Sequence, residues 1–232
     1  MKKFFPWTSF ILITLMIATF LLTYPQLNTY KKVLGFVPKH PKIYTIITYT
    51  FIHISPLHLL GNLVFLLIAS LAIEEELGEI PFLSIYIASG SIAATFDSLG
   101  RVITGVSLSV PFVGSSGAIF GLLMIASLIK PTKKIPTLLL LLSFLPFVEI
   151  LYKLPGIYEY KVFLSVMILV AIVFTTCVIV LPKGVPIPVA MLIFLISWVL
   201  TLTLNLSPSV SHIGHLGGVV GGLFALPLFR KK

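Results

Sequence analysis

Hydroxyl, imidazole and amide side chains stand where apolar runs of this chain begin. Gly114-Ser115-Ser116-Gly117 opens one run, Ser211-His212-Ile213-Gly214-His215 opens another, and His53-Ile54-Ser55-Pro56-Leu57-His58, with Asn62 four residues on, opens a third. A serine hydroxyl set beside an imidazole is equipment for nucleophilic catalysis: the ring takes the proton as the oxygen attacks. A helix starting at Ser116 would turn its free backbone N–H groups, and the positive end of its dipole, toward any negative charge developing there. His58 and Asn62 are four apart and share one helical face, so both can offer donors at one depth.

The elements that must position these groups follow from composition. Of the 232 residues, 58% are apolar and only 10% are charged. Mean hydropathy is +1.12. So few charges cannot solvate the outside of a soluble domain of this size, so the chain reads as an integral membrane protein, multi-pass, with the cell membrane as its expected place. The net charge of +9 comes from short basic groups scattered between apolar runs. These suit membrane-end anchors facing anionic lipid rather than nucleic acid. The single cysteine, Cys177, lies inside an apolar run and excludes an internal disulfide. Met1-Lys2-Lys3 before an apolar stretch looks like the start of a signal peptide, but that stretch is long and no clear cleavage site follows. We read it as a retained first span.

Eight apolar runs cover about residues 8–25, 55–73, 80–98, 115–129, 135–152, 160–181, 186–205 and 212–229. Most reach the roughly 17–25 residues that a spanning helix needs. The fourth and fifth are short, and Pro146 interrupts the fifth, so one of them suits a re-entrant segment. The alternating ~10-residue segments of a β-barrel are absent. The expectation is an all-α polytopic bundle, a single domain over 1–232. The segment 26–54, with Lys31, Lys32, Lys39 and Lys42 among apolar residues, suits an interfacial loop. With the N-terminus inside, basic residues divide nine to seven in favour of the inner face. The three polar openings lie on the second, fourth and eighth runs. All three therefore enter the bilayer from one face, and their polar starts share a depth.

Glycines then suggest how the openings meet. Gly218 and Gly222 follow His215 at three and seven, and Gly117 and Gly121 form a matching stripe behind Ser116. Two small faces let helix backbones approach closely, which would bring His215 against Ser116. Asp97 ends the third run, and Glu74, Glu75, Glu76 and Glu79 lie at the opposite face. A Ser–His dyad is therefore expected, without an acidic third member.

Blander readings exist for each feature. Gly114–Gly117 serves equally as a helix start with a packing stripe. His212 and His215 suit interfacial histidines, and Asn62 an interhelical hydrogen bond. Histidines between helices also ligate haem or a metal, although His53 and His58, five apart, diverge around a helix. The meeting of three polar openings on one face favours a catalytic site, with His53 and His212 structural.

At these residues the chain resembles the rhomboid intramembrane serine proteases. The resemblance runs from about Leu34-Gly35-Phe36-Val37-Pro38 to Ser116 and resumes at the last helix. Gly114-Ser115-Ser116-Gly117 is similar to the family's Gly-x-Ser-Gly, which implies Ser116 as nucleophile. His215-Leu216-Gly217-Gly218 with Gly222 is similar to its His-x-x-Gly-x-x-x-Gly, which implies His215 as general base. His53, His58 and Asn62 match the second-helix motif. By resemblance, His58 and Asn62 join the Ser116 backbone N–H in stabilising the oxyanion. Phe120 stands where many members place an aromatic that stacks on the histidine. Glu74-Glu75-Glu76-Leu77-Gly78 looks like the family's Glu-x-x-Leu-Gly, a structural element. Where the family's first loop often carries a Trp-Arg pair, this chain has Lys42-Ile43-Tyr44-Thr45-Ile46. Between Ser116 and His215 there is room for three helices where the six-helix core has one, which implies a two-helix insertion. The resemblance implies a serine endopeptidase acting on transmembrane protein substrates in the lipid bilayer, with a catalytically silent client-binding protein as the alternative. Neither a His-Glu-x-x-His motif nor a P-loop occurs, so no cofactor or metal is expected. Oligomeric state stays open.

Overall fold

The computed structural model describes residues 4–137, 184–192, 212–225 and 227. Its architecture is an all-α membrane bundle. Helix α1 spans Trp7–Thr23. Pro25 sits in a single 3₁₀ turn, Tyr24–Gln26, and the short helix α2 follows at Leu27–Leu34. After a loop come α3, Thr45–Thr48, and a second 3₁₀ turn, Tyr49–Phe51. The long helices α4, Pro56–Leu77, and α5, Glu79–Thr104, follow. Helix α6 is Ser116–Ile129 and α7 is His212–Ala225. A two-residue antiparallel ladder pairs β1, Lys134–Ile135, with β2, Val185–Pro186.

Local chemistry sets the ends of these helices. Ser55 caps α4 by accepting the His58 backbone N–H at 3.1 Å, with Pro56 at the first helical position, where a missing N–H costs nothing. Gly78, at φ +82°, turns the chain between α4 and α5, a conformation that penalises any residue with a Cβ. Gly105, at φ +71°, ends α5 in the same way.

The first four expected spans coincide with α1, α4, α5 and α6, and the eighth with α7. Helix α5 runs past the expected end at 98, because Arg101 interrupts the apolar pattern without interrupting the helix. At 1.5 Å per residue α5 is about 39 Å long, more than an upright helix needs to cross a ~30 Å hydrocarbon core. The segment 26–54 is more ordered than a simple loop and holds α2 and α3. The fifth to seventh expected runs lie outside the described residues, apart from 135–137 and 186–192. The expected insertion and Cys177 lie there too.

Packing shows where lipid and protein lie. Leu66, Ile68, Ile73, Phe82, Ile85, Ile119, Leu122 and Leu123 are almost fully buried between α4, α5 and α6. Leu21, Leu22, Ile80 and Phe224 are 68–79% exposed, as suits side chains facing acyl chains. Helix α1 is fixed at its start by Glu74, which is fully buried. The Glu74 carboxylate accepts the Thr8 N–H at 2.9 Å, the Ser9 N–H at 3.3 Å, the Ser70 hydroxyl at 2.8 Å and the Ser9 hydroxyl. A carboxylate at a helix N-terminus answers both the orphan N–H groups and the dipole. This joins the start of α1 to the end of α4, at the end of the bundle opposite Ser116.

Candidate active site

The starts of α4, α6 and α7 converge. Helix α7 packs against both α5 and α6, and its glycines explain how closely. A Cβ built on Gly218 would lie 2.6 Å from the Gly117 carbonyl carbon and 2.9 Å from its Cα. One on Gly222 would lie 2.9 Å from the Gly121 Cα. The two backbones touch along the expected stripes. A second stripe, not anticipated from sequence, faces α5: Gly217 abuts Phe96 and Gly221 abuts Ser89. The signal was present as Gly217-Gly218 and Gly221-Gly222, whose paired glycines cover two adjacent faces of one helix.

This approach places the His215 Nε2 2.7 Å from the Ser116 Oγ, a hydrogen bond between residues 99 apart in sequence. The Phe120 ring stacks on the imidazole, with centroids 4.9 Å apart and planes 29° from parallel. Ser116 is the first residue of α6, and the first helical bond there is Ile119 N–H to the Ser115 carbonyl, 3.0 Å. The earlier N–H groups have no partner within the helix, which makes this a place for negative charge. Ile129, at the other end of α6, is followed by Lys130, which pairs with Glu76 at 2.7 Å. Fourteen residues rise only about 21 Å, so α6 is shorter than a ~30 Å hydrocarbon core is thick.

The loop into Ser116 is held on several sides. Phe112 exchanges both backbone bonds with Phe36, at 2.7 and 3.0 Å. The Gly114 N–H donates to the Tyr49 carbonyl at 2.9 Å, while the Tyr49 hydroxyl donates to the Gly90 carbonyl at 2.7 Å. Gly114 has φ +105°, and a Cβ there would lie 2.8 Å from the His58 ring. His58 is thus seated against the backbone that enters Ser116. Asn62, buried one turn along α4, donates through Nδ2 to the His58 carbonyl at 2.9 Å, and its Oδ1 is buried without a hydrogen-bond partner.

Ser115 is fully buried and points away from His215. Its hydroxyl meets the His53 Nε2 at 3.4 Å, and the His53 Nδ1 lies 3.3 Å from the Phe51 carbonyl. Burial, reinforced by the neighbouring His58 ring, pushes the His53 imidazole down to about 3. A neutral ring that donates from Nδ1 to Phe51 accepts at Nε2 from Ser115. His212 is buried, its ring centroid 6.5 Å from that of His215. Among the described residues no three His, Cys, Asp or Glu side chains are grouped to hold a metal ion. Asp97 is buried and bonded to Arg101 at 2.6 Å. In the sequence the signal for that pair is its i, i+4 spacing at the end of α5.

A family model, the Rhomboid domain, matches residues 40–232. The chain belongs to the rhomboid family. No curated protein and no solved structure matches it. Membership accords with the bundle described above: among the described residues three helices are long and apolar enough to cross a membrane, with the shorter apolar α6 packed among them. This rhomboid is an integral membrane protein. Its site is a hydroxyl and an imidazole in contact, beside a helix N-terminus. That arrangement is chemically able to deprotonate the hydroxyl and to stabilise an oxyanion formed next to it.

Proposed function

We propose that this rhomboid family protein is an intramembrane serine endopeptidase, which cleaves membrane-spanning proteins in or near their spans. The observation that carries the reading is the 2.7 Å contact between Ser116 Oγ and His215 Nε2. Ser116 Oγ attacks the carbonyl carbon of the scissile peptide bond while its proton passes to His215 Nε2. The carbonyl oxygen becomes an oxyanion facing the N-terminus of α6, where the Ser116 backbone N–H receives it together with donors from His58 and Asn62. Asn62 Nδ2 carries a second N–H besides the one given to the His58 carbonyl. The tetrahedral species collapses, and the C–N bond breaks as His215 returns the proton to the leaving amine. This leaves an ester on Ser116. A water gives its proton to His215 as it attacks the ester carbonyl; the acyl C–Oγ bond then breaks, His215 returns the proton to Ser116 Oγ, and the carboxyl product departs with both groups restored.

Phe120 holds the imidazole plane, and the glycine stripes of α6 and α7 hold the distance. Labelling of the full chain in detergent with a fluorophosphonate tests the reading. Wild type and Ser115→Ala should be labelled, Ser116→Ala should not, and His215→Ala should lose nearly all labelling. Labelling that survives Ser116→Ala removes Ser116 as the nucleophile and with it the proposal, whereas wild-type protein that is folded and never labelled favours a silent client-binding protein.

A further inference from the structure

The loop 105–115, which joins α5 to the site, has no regular secondary structure apart from the Phe36–Phe112 bridge. One side chain spans it. Arg101 donates through Nε to the Asp97 Oδ2 at 2.6 Å, and through Nη1 to two loop carbonyls, Ser107 at 3.2 Å and Val110 at 2.9 Å. Asp97 is almost completely buried, and only about a tenth of the Arg101 side chain is exposed. We propose that the Asp97–Arg101 pair is a positioning clamp, which sets the 105–115 loop so that Gly114 seats against His58 and Ser116 meets His215. This rests on the proposed catalytic reading for its consequence, although not for its geometry.

The argument begins with the chemistry of guanidinium. Its donors lie in one rigid plane, so a carboxylate fixing Nε also fixes where Nη1 points. Asp97, one turn earlier on the same helix, is the rigid end of the clamp. The two carbonyls that Arg101 reaches lie on opposite limbs of the turn Ser107–Val110, whose own closing bond, Val110 N–H to the Ser107 carbonyl, is a long 3.4 Å. Two residues beyond Val110, Phe112 is paired with Phe36 and packs on the Tyr49 ring, with centroids 4.8 Å apart. Two residues beyond Phe112, Gly114 is bonded to the Tyr49 carbonyl, and Ser116 follows. Tension or slack at Val110 therefore reaches the oxyanion backbone within six residues. Lysine cannot replace arginine here, because one ammonium cannot meet the carboxylate and both carbonyls in that plane.

The test uses the full chain in detergent, with Arg101→Met, Arg101→Lys and Asp97→Asn, and Val102→Ala as a control at an exposed position on the same helix turn. Hydrogen exchange of the 106–114 segment and the saturation kinetics of fluorophosphonate labelling are measured on each. Arg101→Met should raise exchange at the Phe112 and Gly114 amides about tenfold or more, leaving α7 and the first half of α5 unchanged. It should lower the maximal labelling rate by about 10²-fold while leaving the half-saturating probe concentration unchanged. Asp97→Asn should give a smaller effect in the same direction, Arg101→Lys should fail to restore the rate, and Val102→Ala should match wild type. The clamp is overturned if 106–114 exchanges at the wild-type rate in Arg101→Met. It is also overturned if exchange rises uniformly through the bundle, or if Arg101→Lys restores full rate. If the wild-type chain is never labelled, the catalytic reading fails, and the exchange measurement alone decides whether the clamp holds the loop.

Discussion

Gly218 of α7 rests directly on the backbone of Gly117 of α6, so closely that a single added carbon would lie 2.6 Å from the Gly117 carbonyl carbon. That contact is the spacer that places His215, one turn earlier on α7, against Ser116, one residue before Gly117. Gly218→Val should therefore abolish activity although it removes no reacting group. A displacement of about 1 Å is enough to cost on the order of 10²-fold in rate. Overpacking should also lower stability by about 1–3 kcal/mol. Leu216→Ala, at a position 46% exposed on the outer side of the same helix, should leave both nearly unchanged. Full activity and an unshifted melting temperature in Gly218→Val would show that the close approach is not what positions the histidine.

His58 and Asn62 approach the site from α4, His58 against Gly114 and Asn62 one turn below it. His58→Ala and Asn62→Ala should each lower turnover by about 10²–10³-fold, the usual loss for one oxyanion donor, with folding retained. Steady-state cleavage of one substrate in detergent, read alongside thermal melting, separates the two effects. Wild-type turnover in either variant takes that residue out of the site.

Phe120 stacks on the His215 ring. Aromatic pairs of this kind contribute about 0.5–1.5 kcal/mol. Phe120→Leu should therefore slow turnover by up to about tenfold. Phe120→Tyr should be milder, since it keeps the stacked face. A larger loss in Phe120→Tyr than in Phe120→Leu would mean that the stacking geometry is not what matters.

Glu74 should govern stability rather than catalysis. Its carboxylate collects two backbone N–H groups and two hydroxyls in a fully buried setting. Glu74→Ala orphans all four donors, and hydrogen bonds to a charged group contribute about 1.5–3 kcal/mol each, so a loss of about 3 kcal/mol or more is expected. Glu74→Gln keeps one acceptor oxygen and should fall between. A melting temperature in detergent checks this, and equal stability of Glu74→Ala and wild type would refute the anchoring role.

Much of this molecule was legible before any coordinate. The apolar runs set α1, α4, α5, α6 and α7 within a few residues, because a chain in lipid must satisfy its own backbone and leaves only helices as spans. The parity of three polar openings put them at one face, and the glycine spacing at 117, 121, 218 and 222 named the two faces that meet. Three things were beyond sequence reasoning. The contact of Ser115 with His53 depends on how the segment before α4 packs against the loop into α6. The second glycine face against α5 depends on where that helix lies. The reach of Arg101 across its loop depends on how the loop folds back. Periodicity along one chain reports which residues share a face. Which faces then touch is set by the packing of several helices at once, and a hydrogen bond spanning 99 residues exists only when that packing is complete.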